Sequence, residues 1–233
     1  MPADILQATL AVIDIECLED ASWAEMATAQ LHPAEMTRSE TFRHDRRRKS
    51  FVCGRIAAKA ALAAYFPNID PKKIEIGSGV FDQPLIIGGA ENLQGISISL
   101  SHSDCFAVAL AFHRAHPLGI DVDLPTAKDV PVILDGLQPS TQKMICMAGL
   151  DDQEAACLLW VARESLAKTL TTGMMTPLDL YVPSMIERTA IGFEVRYANF
   201  AQYRTIIWPG ARGWLGLTLP DQTEFDPASL VWY

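Results

Sequence analysis

What this chain of 233 residues has little of narrows its identity. Cysteine is scarce and odd in number: Cys17, Cys53, Cys105, Cys146 and Cys157 include no CxxC pair. That speaks against a disulfide framework and against a structural zinc site, and it fits a reducing compartment. Positive charge is outweighed, with 19 Lys and Arg against 28 Asp and Glu and a net charge of −9. So acidic a chain is a poor general binder of nucleic acid or of an anionic membrane unless a local basic patch overrides the field. Long apolar runs are lacking. The longest, Cys105 to Phe112, is far short of a bilayer span, and the start carries Asp4 and Asp14 with no basic n-region, unlike a signal peptide. A soluble, cytoplasmic protein is the expectation. No repeat or low-complexity tract stands out, and GxxxxGK[ST], GxSxG and HExxH are all missing. Gly77-Ser78-Gly79 lacks the third glycine of a dinucleotide loop, and His113 with His116 has no acidic or Cys partner nearby in sequence.

What is present reads as mixed α+β. The apolar fraction of 49% with 20% charged residues is that of a globular chain with a sizeable core. Leu10–Ile15 reads as a strand and Ala21–Gln30 as a helix. One helical region is expected from Pro33 to Ala64, charged in its first half, small and apolar in its second, and ending before Pro67. Gly77–Gly89 reads as turns. Ile96–Ser101 alternates with period 2, so Ile96, Ile98 and Leu100 face a core and Ser97, Ser99 and Ser101 face away. Cys105–Phe112 pairs with it as a hairpin, and Leu118–Leu124 is a further strand with Ile120, Val122 and Leu124 on one face. Pro125–Pro139 reads as irregular and Pro139–Met147 as helical. Asp151–Leu170 is helical on the spacing of Leu158, Leu159, Ala162, Leu166 and Leu170, with Gly173 placed to stop it. Strands follow around Gly192–Tyr197, Tyr203–Trp208 and Trp214–Leu219. Two similar halves result, divided as residues 1–112 and 113–233.

Three constellations could carry chemistry. In Gly119-Ile120-Asp121-Val122-Asp123 the two carboxylates sit i and i+2 on a strand and project from one face. They repel unless something positive lies between them, and Mg²⁺ is the usual answer; a solvated strand face is the plainer one. In the helix Trp160-Val161-Ala162-Arg163-Glu164-Ser165-Leu166-Ala167-Lys168, residues Trp160, Glu164 and Lys168 line one face with Arg163 beside them. The plain alternative there is an i,i+4 ion pair contributing about 0.2–0.5 kcal/mol. In Ser99-Leu100-Ser101-His102-Ser103 a strand with a hydroxyl face ends in a histidine, against the alternative of a self-satisfied turn.

Taken in order, the basic helix ending in FxxGRxAAKxAL, then SxSHS, GIDVD and WxxxESxxK resemble the 4′-phosphopantetheinyl transferases of the surfactin-synthetase-activating type. The resemblance spans about Arg46 to Asp179. It implies a monomer of two α/β lobes related by pseudo-twofold symmetry, with coenzyme A in the cleft between them. It further implies transfer of the phosphopantetheine arm of coenzyme A to a serine of an acyl or peptidyl carrier protein, releasing adenosine 3′,5′-bisphosphate. On that likeness Asp121, Asp123 and Glu164 hold Mg²⁺ at the pyrophosphate. Glu164 also acts as the base, Lys168 steadies the pyrophosphate or leaving group, and Ser101 and His102 hold the pyrophosphate and 3′-phosphate, His102 counting among the catalytic residues. The run Arg46-Arg47-Arg48-Lys49 with Arg55 matches the basic patch for the 3′-phosphate, where Arg48, Lys49 and Arg55 are the named binders. Lys143, Met144, Ile145 and Met147 offer a docking segment for the carrier. Neither nucleic acid nor membrane is implied as a partner. Two departures stand out: Arg163 where the family has Lys, and Asp82-Gln83-Pro84 where members often have Gly-Lys-Pro. The alternative they raise is a relative that binds coenzyme A or a carrier without transfer. An unrelated Mg²⁺ phosphohydrolase would account for the carboxylates but not for the SHS strand or the basic helix.

Overall fold

The computed structural model describes residues 7–88, 93–226, 230 and 232. It is an α+β chain of two compact units, Met1–Pro117 and Leu118–Tyr233. His113, expected to open the second half, is the last residue of a strand of the first.

The first unit contains β1 (Ala8–Asp14), α1 (Asp20–Gln30), α2 (Pro33–Glu40), α3 (Asp45–Tyr65), β2 (Glu75–Ser78), β3 (Pro84–Gly88), β4 (Ile96–His102) and β5 (Phe106–His113). Strands β1, β5 and β4 form an antiparallel sheet in that order. Alternation on β5 sends Ala107, Ala109 and Ala111 to one face, and these share a fully buried cluster with Ala57, Ala58 and Ala61 of α3. Methyl against methyl lets the helix lie close to the sheet, close enough for the Thr9 hydroxyl to donate to the Ala61 carbonyl at 2.7 Å.

The expected single helix from Pro33 to Ala64 is in fact α2 and α3, separated at 41–44. A buried charge explains the reversal. Lys59 on α3 is fully enclosed, and its ammonium donates to the Pro71 and Ile74 carbonyls at 2.7 and 2.6 Å and meets Glu35 of α2 at 2.9 Å. Glu35 in turn accepts from the Ile76 backbone of β2 at 3.0 Å. An unpaired ammonium in that position would be strongly destabilising, so α2 has to fold back alongside α3. The glycine-rich stretch expected as turns is the β2–β3 hairpin, whose loop closes with Asp82 at φ 57° and Gly79 N–H on the Gln83 carbonyl. On β4 the serine face is no less enclosed than the apolar one, with Ser99 at 4% and Ser101 at 7% exposure beside Ile98 at 6%.

The second unit holds β6 (Gly119–Asp123), α4 (Val130–Leu134), α5 (Pro139–Met147), α6 (Asp152–Leu170), β7 (Pro183–Arg188), β8 (Phe193–Tyr197), β9 (Tyr203–Trp208) and β10 (Trp214–Pro220). The sheet order is β6-β10-β9-β8-β7, antiparallel throughout. Helix α6 begins with a capping box between Asp151 and Glu154. It ends at Thr171 in the left-handed conformation, φ 54°, two residues before the glycine expected to stop it. Leu158, Leu159, Ala162 and Leu166 are buried against the sheet, while Leu124 is 40% exposed rather than facing the core with Ile120 and Val122. In this unit two elements escaped the sequence pattern: α4, within the stretch read as irregular, and β7, a strand that starts on a proline and carries a register shift at Pro183.

Glycines on β6 and β10 set the height of α6 above the sheet. A Cβ at Gly119 would stand 2.2 Å from the Ser165 carbonyl oxygen and 2.3 Å from Thr169 Oγ1, and one at Gly216 would stand 3.0 Å from the Val161 carbonyl. Gly119→Ala is therefore expected to destabilise the protein by about 1–3 kcal/mol. Urea unfolding would register this as a lower midpoint at an unchanged slope.

Candidate active site

The side chain that Gly119 lacks would point into α6, and residues 121 and 123 share its side of the strand. Asp121 and Asp123 accordingly face the helix. Two residues one helical turn either side of Glu164 reach down to them. Lys168 Nζ donates to Asp121 Oδ1 at 2.6 Å, and Trp160 Nε1 donates to Asp123 Oδ2 at 2.8 Å. The helix thus runs across β6 with Trp160 over Asp123, Lys168 over Asp121 and Glu164 between them. The solvated-face alternative for GIDVD fails for Asp121, which is 3% exposed. A plain i,i+4 pair does not describe Lys168 either, because its ion pair runs across to the strand.

Charge is concentrated here. Burial pushes the Glu164 carboxyl up to about 7; Lys168 pulls it down, and the Asp121 and Asp123 charges push it further up. Burial also raises Asp123, against its bonds from the Leu124 backbone and from Trp160. Arg163, beside Glu164 in sequence, takes no part. It is 6% exposed, turns into the unit, and donates from Nη1 to the Ile133 carbonyl at the end of α4 at 3.3 Å.

Among the described residues, no group of three or more His, Cys, Asp or Glu side chains stands close enough to hold a metal ion. In kind, the donors suit a hard divalent cation: Asp121, Asp123 and Glu164 offer only carboxylate oxygens. In arrangement, the Lys168 ammonium already occupies one oxygen of Asp121 and the Trp160 indole one oxygen of Asp123.

The phosphate-binding candidates singled out from the sequence lie in the first unit. Ser101 is buried near the end of β4 and His102, its last residue, is exposed. Arg46, in the first turn of α3, pairs with Asp104 in the turn after β4, which brings the basic helix start beside the SHS segment. Arg47 lies over the Phe42 ring and Arg48 over the Trp23 ring, at 5.4 and 5.9 Å from the centroids. Lys49 donates to the Leu18 carbonyl at 2.9 Å. Arg55 is 6% exposed, lies over Phe51 at 4.8 Å, and has its Nε 3.9 Å from Glu35. Gln83, where a cation was expected, folds onto its own loop and accepts from the Phe81 backbone at 2.9 Å. Trp160 was placed on the right face by its spacing, but no sequence signal identified its indole as the donor to Asp123.

Lys168→Met should lower the unfolding free energy by about 1–3 kcal/mol, the value of a hydrogen bond to a charged group. Adding Asp121→Asn to it should recover most of that loss, since a neutral amide needs no cation, and chemical denaturation of the four proteins in the cycle checks it.

No family model matches this chain, and no curated protein matches it. Among solved structures it is similar to a holo-(acyl-carrier-protein) synthase from Bacillus anthracis in complex with CoA (3′,5′-ADP). That likeness has a TM-score of 0.41 at 22% identity, over 47% of this chain and 97% of the other. It is also similar to holo-ACP synthases from Plasmodium yoelii (TM-score 0.39, 17% identity, 47% and 94% covered) and Thermotoga maritima (0.37, 22%, 50% and 69%). With TM-scores below 0.5, these likenesses carry no functional weight.

Proposed function

We propose that this protein is a 4′-phosphopantetheinyl transferase, moving the phosphopantetheine arm of coenzyme A onto a serine of an apo carrier protein. One observation carries the reading: Asp121, Asp123 and Glu164 gather with Lys168 where α6 crosses β6. The ordered basic-helix, SHS, GIDVD and WxxxESxxK motifs say what such a cluster is for.

Asp121, Asp123 and Glu164 are the carboxylates from which a Mg²⁺ site would have to be drawn together, since as they stand they are not close enough to hold it. When bound, the cation would neutralise pyrophosphate charge as the bond to the leaving group breaks. Glu164 accepts the proton of the serine hydroxyl, directly or through a water, as the serine oxygen forms its bond to phosphorus. The Lys168 ammonium steadies the charge that passes to the departing adenosine 3′,5′-bisphosphate. Arg48, Lys49, Ser101 and His102 are the phosphate-binding candidates of the first unit. Arg55, enclosed against Glu35 and Phe51, contributes through its hold on α3. The carrier docks on α5 in this reading. Met147 is 77% exposed there and Lys143 is exposed, while Ile145 packs into the core and leaves the docking set.

Intact-mass spectrometry of a panel of apo carrier proteins, incubated with this protein, coenzyme A and Mg²⁺, tests the reading. A gain of one phosphopantetheine, abolished in Glu164→Ala, is the expected result. Coenzyme A binding by calorimetry with no gain on any carrier would mean a binding protein without transferase activity. The docking surface has its own test: Met144→Glu with Met147→Glu should raise the carrier KM at least about tenfold, as loss of an apolar anchor does, and leave coenzyme A binding unchanged.

A further inference from the structure

Beneath Glu164 and Lys168, four hydroxyls lie where an apolar seam would be expected. Ser165 of α6, Thr218 of β10 and Thr205 of β9 are wholly buried, and Tyr197 of β8 is 1% exposed. They are linked in sequence. Ser165 Oγ is 2.9 Å from Thr218 Oγ1, which is 2.6 Å from Thr205 Oγ1. Thr205 meets the Tyr197 hydroxyl, and Tyr197 donates at 2.9 Å to the Ala162 carbonyl of α6. The chain of bonds leaves α6 at Ser165 and returns to it one turn earlier, crossing three strands.

Counting protons closes the chain on one carbonyl of α6. The Tyr197 hydroxyl meets the Ala162 carbonyl, and burial holds this phenol's pKa above its ordinary value, so it stays a donor. The Ser165 hydroxyl also lies 3.2 Å from the Ala162 carbonyl, so both ends of the chain meet the same acceptor, and four hydroxyl protons bond every member whichever way round they run. The network also sits where α6 and the sheet come closest. Thr218 lies opposite Gly119 in the β6–β10 register, and Gly216 lies opposite Asp121. Ser165 follows Glu164 directly and precedes Lys168 by three residues. Apolar packing would bury the same area, but it has no preferred register, whereas hydrogen bonds fix distance and direction.

We propose that Thr218, acting with Thr205 and Tyr197, is a positioning residue that sets the register of α6 on the sheet and so holds Glu164 and Lys168 over Asp121 and Asp123. This rests on the transferase reading for its consequence in catalysis, though not for its structural content. None of the three touches the carboxylates, and none belongs to the motifs that mark the site.

The test compares wild type, Thr218→Val, which keeps the shape and removes the hydroxyl, and Thr218→Ser, which restores it. The first readout is the indole N–H resonance of Trp160 in nitrogen-15-labelled protein, assigned by its loss in Trp160→Phe. This N–H bonds Asp123 and so reports the helix position without any activity. The second is the Mg²⁺ concentration giving half-maximal transfer, which a reduced folded fraction would not move. In Thr218→Val the indole signal should shift and exchange faster with solvent, and half-maximal Mg²⁺ should rise about tenfold, the usual scale for residues that orient metal ligands. Thr218→Ser should return both toward wild type. An indole signal in Thr218→Val that superimposes on wild type overturns the proposal, and so does an equal shift in the serine variant. If Thr218→Val does not fold, Tyr197→Phe is judged on the same readouts by the same outcomes. Should wild type transfer nothing, the functional reading fails while the indole resonance still decides the positioning role.

Discussion

The approach of α6 to β6, with no side chain on Gly119 between them, is the constraint on which the second unit depends. At the spacing that this glycine permits, Lys168 reaches Asp121 at 2.6 Å and Trp160 reaches Asp123 at 2.8 Å. A helix held higher by even one methyl group could make neither contact without bending. Two carboxylates on one strand face, one of them almost fully buried, would otherwise repel each other in a poorly solvated place. The lysine is therefore part of what lets GIDVD fold as a strand, as well as a reagent in the proposed reaction.

The first unit reaches the same helix-on-sheet closeness by another route. There the seam is alanine on alanine, from Ala57, Ala58 and Ala61 to Ala107, Ala109 and Ala111, and small side chains rather than missing ones set the distance. Its buried polar element is correspondingly structural. Glu35 and Lys59 satisfy each other and four backbone groups, tying α2, α3 and β2 together, and Arg55 leans on the same carboxylate. Seen in this way, the GRxAAK segment of α3 serves folding first: Arg55 and Lys59 are its two cations, and both turn inward.

Much of this was legible in the sequence because the periodicities are strong. The α6 leucines, the β4 alternation and the GIDVD strand each announce an element, and the i,i+4 spacing of Trp160, Glu164 and Lys168 places three side chains on one face. What could not be read was anything that depends on a partner distant in sequence. The split between α2 and α3 follows from the Glu35–Lys59 pair, and the hairpin of β2 and β3 follows from Gln83 folding back on its loop. Serines on β4 were expected to face away from the core, yet Ser99 and Ser101 are covered too, and alternation cannot tell a second buried face from a wet one. Thr218 sits in an apolar strand, Leu-Gly-Leu-Thr-Leu, where a lone hydroxyl among aliphatics is a faint signal of a buried polar partner.

One departure from the pattern the motifs resemble, Arg163, also acquires a physical reading. Arg163 stands where a lysine would be expected beside Glu164, yet its guanidinium serves the Ile133 carbonyl at the C-terminal end of α4, and its Nε has no hydrogen-bond partner among the described residues. A planar, permanently charged group tolerates such a place because it needs few strong bonds to stay in low-dielectric surroundings, whereas an ammonium would demand more. The cation at 163 is thus removed from the carboxylate face, and Lys168 is left to supply the positive charge that α6 brings to Asp121. On the proposed reading, coenzyme A binding measured by calorimetry should weaken more in Lys168→Met than in Arg163→Met. That asymmetry follows from where the two side chains point rather than from their charge, which is the same.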